Sequence, residues 1–305
     1  MDLEGTQLGK YELNAEIGRG DLGVVYRGHD PDVARPVAIK VLHTHLAQDK
    51  EFVRAFMRSA QTAARLNHPH IVSIYDMGAD NGRYYFVTEY VDGQSLDQIL
   101  EERGQLSADG SLSLLRQVSD ALDHAHAQGL VHGGVKPSNV IVDGGGRARV
   151  TDLGFVRPAP ESGATASVTF VDSLRYISPE QASGSPPGTS SDLYSLAVVA
   201  YEMLAGVPPF DGQTESDLLY WQVHEPPPPI VSYRPDLPLA VEEVFERALA
   251  KQPERRFWSA VTFATALGEA LENEPFRATV AASISQPPRT TGGAPYSETS
   301  TAQPS

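Results

Sequence analysis

Lys136 and Asn139 stand three residues apart in His132-Gly133-Gly134-Val135-Lys136-Pro137-Ser138-Asn139-Val140, and Asp152 follows in Thr151-Asp152-Leu153-Gly154. Lysine offers a compact positive charge, while Asn and Asp offer hard oxygen ligands. A cation, an amide oxygen and a carboxylate brought together suit a phosphate chain that carries a divalent metal ion. Two further stretches point the same way. Ile17-Gly18-Arg19-Gly20-Asp21-Leu22-Gly23-Val24-Val25-Tyr26 contains G-x-G-x-x-G-x-V, whose glycines let a backbone approach phosphate oxygens closely. Val37-Ala38-Ile39-Lys40-Val41 carries one Lys in an apolar run. The bland alternative for Lys40 is a strand lysine that snorkels to solvent.

These residues need elements to hold them. Residues 11–29 alternate and are rich in β-formers. A dinucleotide-binding fold would place a helix after the third glycine; strand-like residues on both sides predict instead a glycine-rich hairpin laid over phosphates. Residues 52–66 read as a helix with Phe52, Ala55, Phe56, Ser59, Ala63 and Leu66 on one face. Residues 84–91 read as a strand, and Ser95-Leu96-Asp97-Gln98 as a capping box that opens a short helix. A longer helix over 107–128 is closed by Gly129. Residues 190–205 read as a buried helix, capped by Thr189 or Ser190 and closed by Gly206. The pairs His43/His45 and His124/His126 have a spacing that cannot share a helix face, which argues against a zinc site.

In this order, over residues 8–272, the motifs resemble those of bacterial Hanks-type (eukaryotic-like) serine/threonine protein kinases. The loop at 132–140 resembles H-R-D-x-K-x-x-N, Val37–Lys40 matches V-A-I-K, and Asp152-Leu153-Gly154 resembles D-F-G. The resemblance implies an α+β, bilobal protein-kinase-like fold. A small β-rich lobe with one helix and a hinge would span 8–91, and a larger, mainly α lobe 92–273. It also implies ATP and Mg²⁺ as cofactors. Ile17, Gly18, Gly20, Gly23, Val25, Ala38, Lys40, Glu89, Val91, Lys136 and Ile141 would hold the nucleotide, and Asn139 and Asp152 the metal. Backbone groups of Glu89 and Val91 would meet the adenine edge. Asp192 would hold the backbone of the 132–140 loop, and Arg256 would pair with Glu180 of Ser178-Pro179-Glu180.

The chain departs from the family where catalysis is made. Gly133 stands at the Arg of the family loop and Gly134 at its catalytic Asp. Ser59 stands where the family places the Glu that pairs with the strand Lys, and no Asp or Glu occurs from Phe52 to Tyr75. Lys136 is retained, but no catalytic base is. Without a helix carboxylate, Lys40 is expected to turn toward Asp152 in the nucleotide-free protein. Ser173 aligns with the family Thr that contacts the missing Asp, and Asp172 beside it is the acidic side chain considered as a substitute. The leading reading is a pseudokinase that binds ATP in a Mg²⁺-dependent manner and acts as a signalling scaffold or regulator. The alternatives are a weakly active serine/threonine kinase and a nucleotide-free protein-interaction module. Removal of a general base costs ~10²–10⁴ in rate, and phosphoryl transfer relies mainly on positioning and metal electrostatics, so its loss cripples the reaction without forbidding it.

Composition bounds the rest. A net charge of −15 argues against nucleic acid or an anionic membrane as main partner. The absence of cysteine excludes disulfides and thiolate metal sites. The longest apolar stretch, 193–210, is broken by Tyr194, Ser195, Glu202, Gly206 and a Pro pair, so no membrane span is expected. Asp2 and Glu4 do not fit the basic layout of a signal peptide. The expected setting is cytoplasmic, as a free protein or the cytoplasmic part of a longer membrane protein. Expected partners are other proteins, such as a second kinase or a phosphoprotein-binding module. Residues 155–177 read as an activation segment with Thr165, Ser167 and Thr169 as phosphate acceptors, and 274–305 as a disordered Ser/Thr/Pro-rich tail or linker.

Overall fold

The computed structural model describes residues 3–155, 173–212 and 214–272. Thr165, Ser167, Thr169, Asp172 and the 274–305 tail therefore lie outside the described residues. The first part of the chain forms a six-stranded antiparallel sheet: β1 (Gln7–Leu8), β2 (Tyr11–Arg19), β3 (Gly23–Asp30), β4 (Arg35–Leu42), β5 (Ile74–Asp80) and β6 (Arg83–Glu89), in the order β1-β2-β3-β4-β6-β5. In β4, Val37, Ile39 and Val41 are buried under the sheet, which turns Ala38 and Lys40 to the opposite face. The register pairs Gly18 with Val25, Val25 with Lys40, and Lys40 with Phe86. One cross-strand row thus sets the glycine hairpin over the strand lysine.

One face of the sheet is covered by α1 (Thr44–Ala47) and α2 (Lys50–Ala63). The α2 helix starts two residues before the expected 52, because Asp49 caps it by accepting from the amides of Glu51 and Phe52. It ends at Ala63, so Leu66 is buried beyond the helix, and Ala55 is exposed where the periodicity placed it inward. Ser59 is half-buried and faces the turn at Gly154.

The rest of the chain packs around α4 (Ala108–Ala127) and α6 (Thr189–Ala205), with α3 (Leu96–Arg103), α5 (Pro179–Ala182), α7 (Glu215–His224), α8 (Ala240–Ala248) and α9 (Ala260–Glu272). Leu115, Leu122 and Ala125 of α4 meet Tyr194, Val198 and Tyr201 of α6 in one apolar core. Residue Gly188, not Thr189 or Ser190, occupies the N-cap of α6, and its amide donates to Ser191 Oγ at 3.0 Å. Gly206 closes the helix in the left-handed conformation. A second small sheet joins β7 (Gly93–Ser95), β8 (Val140–Asp143) and β9 (Ala148–Val150). Among the described residues no helix is long and apolar enough to cross a membrane.

Candidate functional site

A cavity of about 690 Å³ lies between the six-stranded sheet and the helical part. Its roof is the glycine hairpin, with Ile17, Gly18, Gly20 and Val25; Ala38 and Lys40 follow from β4. Glu89 and Val91 line the connection between the two parts, and Ile141, Lys136, Asn139, Asp152 and Gly134 form the floor. Two expected site residues stand outside this lining. Gly23 backs onto β4, where a Cβ would come within 2.0 Å of the Val41 carbonyl oxygen, so its lack of a side chain serves strand packing. Ser59 also lies off the cavity wall.

The floor is assembled by β8 and β9. Val140 pairs with Val150, and the Thr151 amide donates to the Asn139 carbonyl at 2.9 Å. That pairing brings Asn139 and Asp152 to adjacent strand ends although thirteen residues separate them in sequence. Asn139 Nδ2 donates to the Gly134 carbonyl at 2.9 Å, which leaves its amide oxygen as the atom to offer a cation. Asp152 takes the left-handed conformation (φ 60°), which Asp tolerates better than most side chains. One of its oxygens, Oδ1, is buried without a hydrogen-bond partner, and Oδ2 accepts from Lys40 Nζ. Both side chains of the Lys40–Asp152 pair are only 12% exposed, so the sequence expectation for an unanchored Lys40 matches this geometry. An orphaned carboxylate oxygen beside an amide oxygen fits a hard divalent cation such as Mg²⁺. Among the described residues no three acidic or His side chains converge on such an ion. A metal here would need oxygens from a phosphate ligand to complete its shell.

The loop that carries Gly134 is held by several hydrogen bonds. Asp192, 1% exposed, accepts from the His132 amide at 2.8 Å and the Gly133 amide at 2.7 Å, and also contacts His126 Nε2 at 2.7 Å. Gln181 Nε2 donates to the Gly133 carbonyl at 3.1 Å. Burial holds the His132 imidazole below its usual range and therefore neutral. Its partners fix the tautomer: Nε2 donates to the Thr151 carbonyl at 3.1 Å, and Nδ1 accepts from the Gly134 amide at 3.3 Å. Gly133 has φ 73°, whereas a Cβ built on Gly134 meets no atom within 4 Å. Open space therefore stands where the resemblance predicts a catalytic carboxylate.

Behind the loop, Arg256 makes two 2.8 Å bonds to the Glu180 carboxylate and also donates to the carbonyls of Ser190, Ala250 and Lys251. Burial opposes ionisation of Glu180, but the bonds from Arg256 and Ser191 prevail and hold its carboxyl below the usual carboxylate range.

Sequence reasoning missed three contributors. Phe155 stacks on Phe86 (4.7 Å between centroids) and lies 4.8 Å from Phe56, so aromatic packing beneath α2 comes two residues after Leu153. Gln181 was invisible as a loop partner. Asp21 was passed over inside the glycine hairpin, yet Lys136 Nζ donates to its Oδ2 at 2.8 Å. A lone acid in a stretch read as a phosphate cover was the signal that could have drawn notice.

The profile of the protein kinase domain family matches residues 11–264. The serine/threonine-protein kinase PrkC of Bacillus subtilis is 37% identical over 252 residues, 83% of this chain and 39% of PrkC. PknA of Mycobacterium tuberculosis, also named a serine/threonine-protein kinase, is 39% identical over 267 residues, 86% of this chain and 61% of PknA. The chain thus spans less than two thirds of those relatives' length. The crystal structure of the M. tuberculosis PknI kinase domain superimposes with a TM-score of 0.72 at 32% identity, covering 88% of this chain and 98% of that one.

Proposed function

The chain belongs to the protein kinase family, its similar relatives being bacterial serine/threonine kinases, and from that premise we propose that it is a pseudokinase that binds Mg-ATP and regulates or scaffolds other proteins. The observation that carries this reading is the pairing of a furnished phosphate site with an empty base position. Lys40, Lys136, Asn139 and Asp152 all line one cavity, while Gly134 offers no side chain and open space around it. The adenine would lie among Ile17, Val25, Ala38 and Ile141, with its edge at the Glu89–Val91 backbone. Asn139 and Asp152 would hold Mg²⁺, which neutralises charge between phosphate groups when bound. Lys40 would leave Asp152 for the inner phosphates, and the freed carboxylate would be available as a metal ligand.

What this chain's residues cannot do is accept the proton of a substrate hydroxyl from position 134. The loop around it is nevertheless fixed by Asp192, Gln181 and Asn139. That rigidity favours a second reading, a slow serine/threonine kinase whose transfer depends on positioning alone. Thermal shift with ATP, with and without Mg²⁺, beside transfer of labelled phosphate to a generic substrate separates the two. A rise in melting temperature that requires Mg²⁺, with no transfer, supports the pseudokinase; brisk turnover overturns it; an unmoved melting temperature and no heat in calorimetry overturn nucleotide binding altogether.

A further inference from the structure

Asp21 sits at the tip of the glycine hairpin, on the sheet side of the cleft, and its partners come from the helical side. Its Oδ2 accepts from Lys136 Nζ at 2.8 Å and from Ser173 Oγ at 2.5 Å, while Lys136 Nζ also donates to Ser173 Oγ at 2.7 Å. The three groups close a triangle across the cleft. The ion pair is not a surface decoration: its side chains are 18% and 12% exposed, a setting in which charge-assisted bonds are stronger than the exposed pairs that contribute little. The hairpin tip is held down elsewhere too. Leu22 is buried in the apolar cluster that contains Phe86 and Phe155. The His43 amide donates to the Leu22 carbonyl at 2.9 Å, and the His43 ring bonds the Gly20 carbonyl at 2.9 Å.

A direct 2.8 Å contact leaves no room for a phosphate group between the hairpin tip and Lys136. Asp21 presents to Lys136 what a phosphate would present, anionic oxygen at bonding distance. On the reading that the cavity takes ATP, on which this inference rests, Lys40 serves the inner phosphates and Lys136 is left for the terminal one. We infer that Asp21 is a built-in phosphate mimic that clasps the cleft and sets its selectivity between nucleoside triphosphate and diphosphate. A terminal phosphate has to evict the carboxylate from Lys136 and face its charge; a diphosphate, one group shorter, leaves the clasp closed. Asp21 therefore weakens ATP relative to ADP, and ATP, unlike ADP, releases the hairpin tip from the helical side.

Calorimetric Kd values for Mg-ATP and Mg-ADP on the full chain and on Asp21→Asn test this. Removing one charge-assisted competitor should tighten ATP about tenfold and move ADP by no more than roughly twofold. Ser173→Ala removes a donor to Asp21 and should shift the ATP-to-ADP ratio in the same direction by less. A general loosening of the fold would move both nucleotides together, so the ratio is the discriminating quantity. Hydrogen exchange of the hairpin amides at residues 18–23 should quicken with ATP, not with ADP, and should be fast in Asp21→Asn without nucleotide. Equal shifts for both nucleotides, or none, overturn the clasp while leaving the ATP site standing. Lost residual phosphotransfer in Asp21→Asn at an unchanged ratio would make Asp21 a proton acceptor and likewise overturn it. Failure of any form to bind nucleotide removes both the ATP reading and this one.

Discussion

Gly134→Asp should restore measurable phosphotransfer, and the structure allows its size to be bounded. The backbone at 134 lies outside the left-handed region, and a Cβ there meets nothing within 4 Å, so the new side chain enters without displacing a neighbour. The surrounding loop keeps its bonds to Asp192, Gln181 and Asn139, none of which involves the missing side chain. A positioned general base is worth ~10²–10⁴ in rate, equivalent to about 3–5.5 kcal/mol of barrier. The lower end is expected, because Asp21 already occupies Lys136 and Ser173 and a second carboxylate nearby meets like-charge repulsion. Lys40 meanwhile stays with Asp152, since Ser59 offers it no carboxylate and the acid that α2 does carry, Glu51, is exposed at the first turn. Single-turnover transfer from labelled Mg-ATP to a generic basic protein should rise about a hundredfold over the unmodified chain. Adding Ser59→Glu should raise it further, by more than its effect alone, since an ordered Lys40 matters only when a base is present. A double variant that binds Mg-ATP by calorimetry yet transfers nothing above background would refute the claim that the lesion is local.

Further expectations follow from individual contacts. Arg256→Ala strands the Glu180 carboxylate and three backbone carbonyls in a side-chain environment that is fully buried for Arg256; urea unfolding should lose about 3–5 kcal/mol, and a loss under 1 kcal/mol would contradict it. Burial, with Arg256 nearby, lowers Lys251 from 10.5 to about 8. The unfolded chain then binds more protons than the native one between those values, so unfolding free energy should climb from about pH 8 to pH 10.5. Denaturation of Lys251→Met across that window should lack this component. Finally, Gly23→Ala collides with the β4 backbone at Val41 whereas Gly20→Ala meets nothing within 4 Å. The first should lower the melting temperature; the second should leave it nearly unchanged but weaken Mg-ATP binding, and equal effects on both quantities would dismiss the division of labour.

What could be read in the sequence was whatever rides on local period or motif spacing. The glycine hairpin and the strand bearing Lys40 follow from alternation and turn residues. The Arg256–Glu180 pair, 76 residues apart, was reachable only through the resemblance, since no periodicity links its ends. The partners of Asp21 were not reachable, although its charge was a signal. They lie 115 and 152 residues away, and the charge contradicts the phosphate-covering role that the glycines suggest. Gly23 lies against β4 and off the cavity lining; a glycine spared for a close strand and one spared for a ligand look alike in sequence. The start of α2 shifted because an Asp N-cap outweighed the first apolar residue as the boundary marker.

The two adjacent glycines of the 132–140 loop also differ in what a side chain placed at each would meet. Every glycine codon becomes an acidic codon by one change at its second base, and the fold raises no steric objection to a carboxylate at 134. Position 133, with φ 73°, charges a side chain about 1–2 kcal/mol for the left-handed conformation. Restoring the acid is thus sterically unobstructed, whereas an arginine at 133, also one base change from glycine, meets that backbone cost. No structural barrier therefore keeps a carboxylate out of position 134.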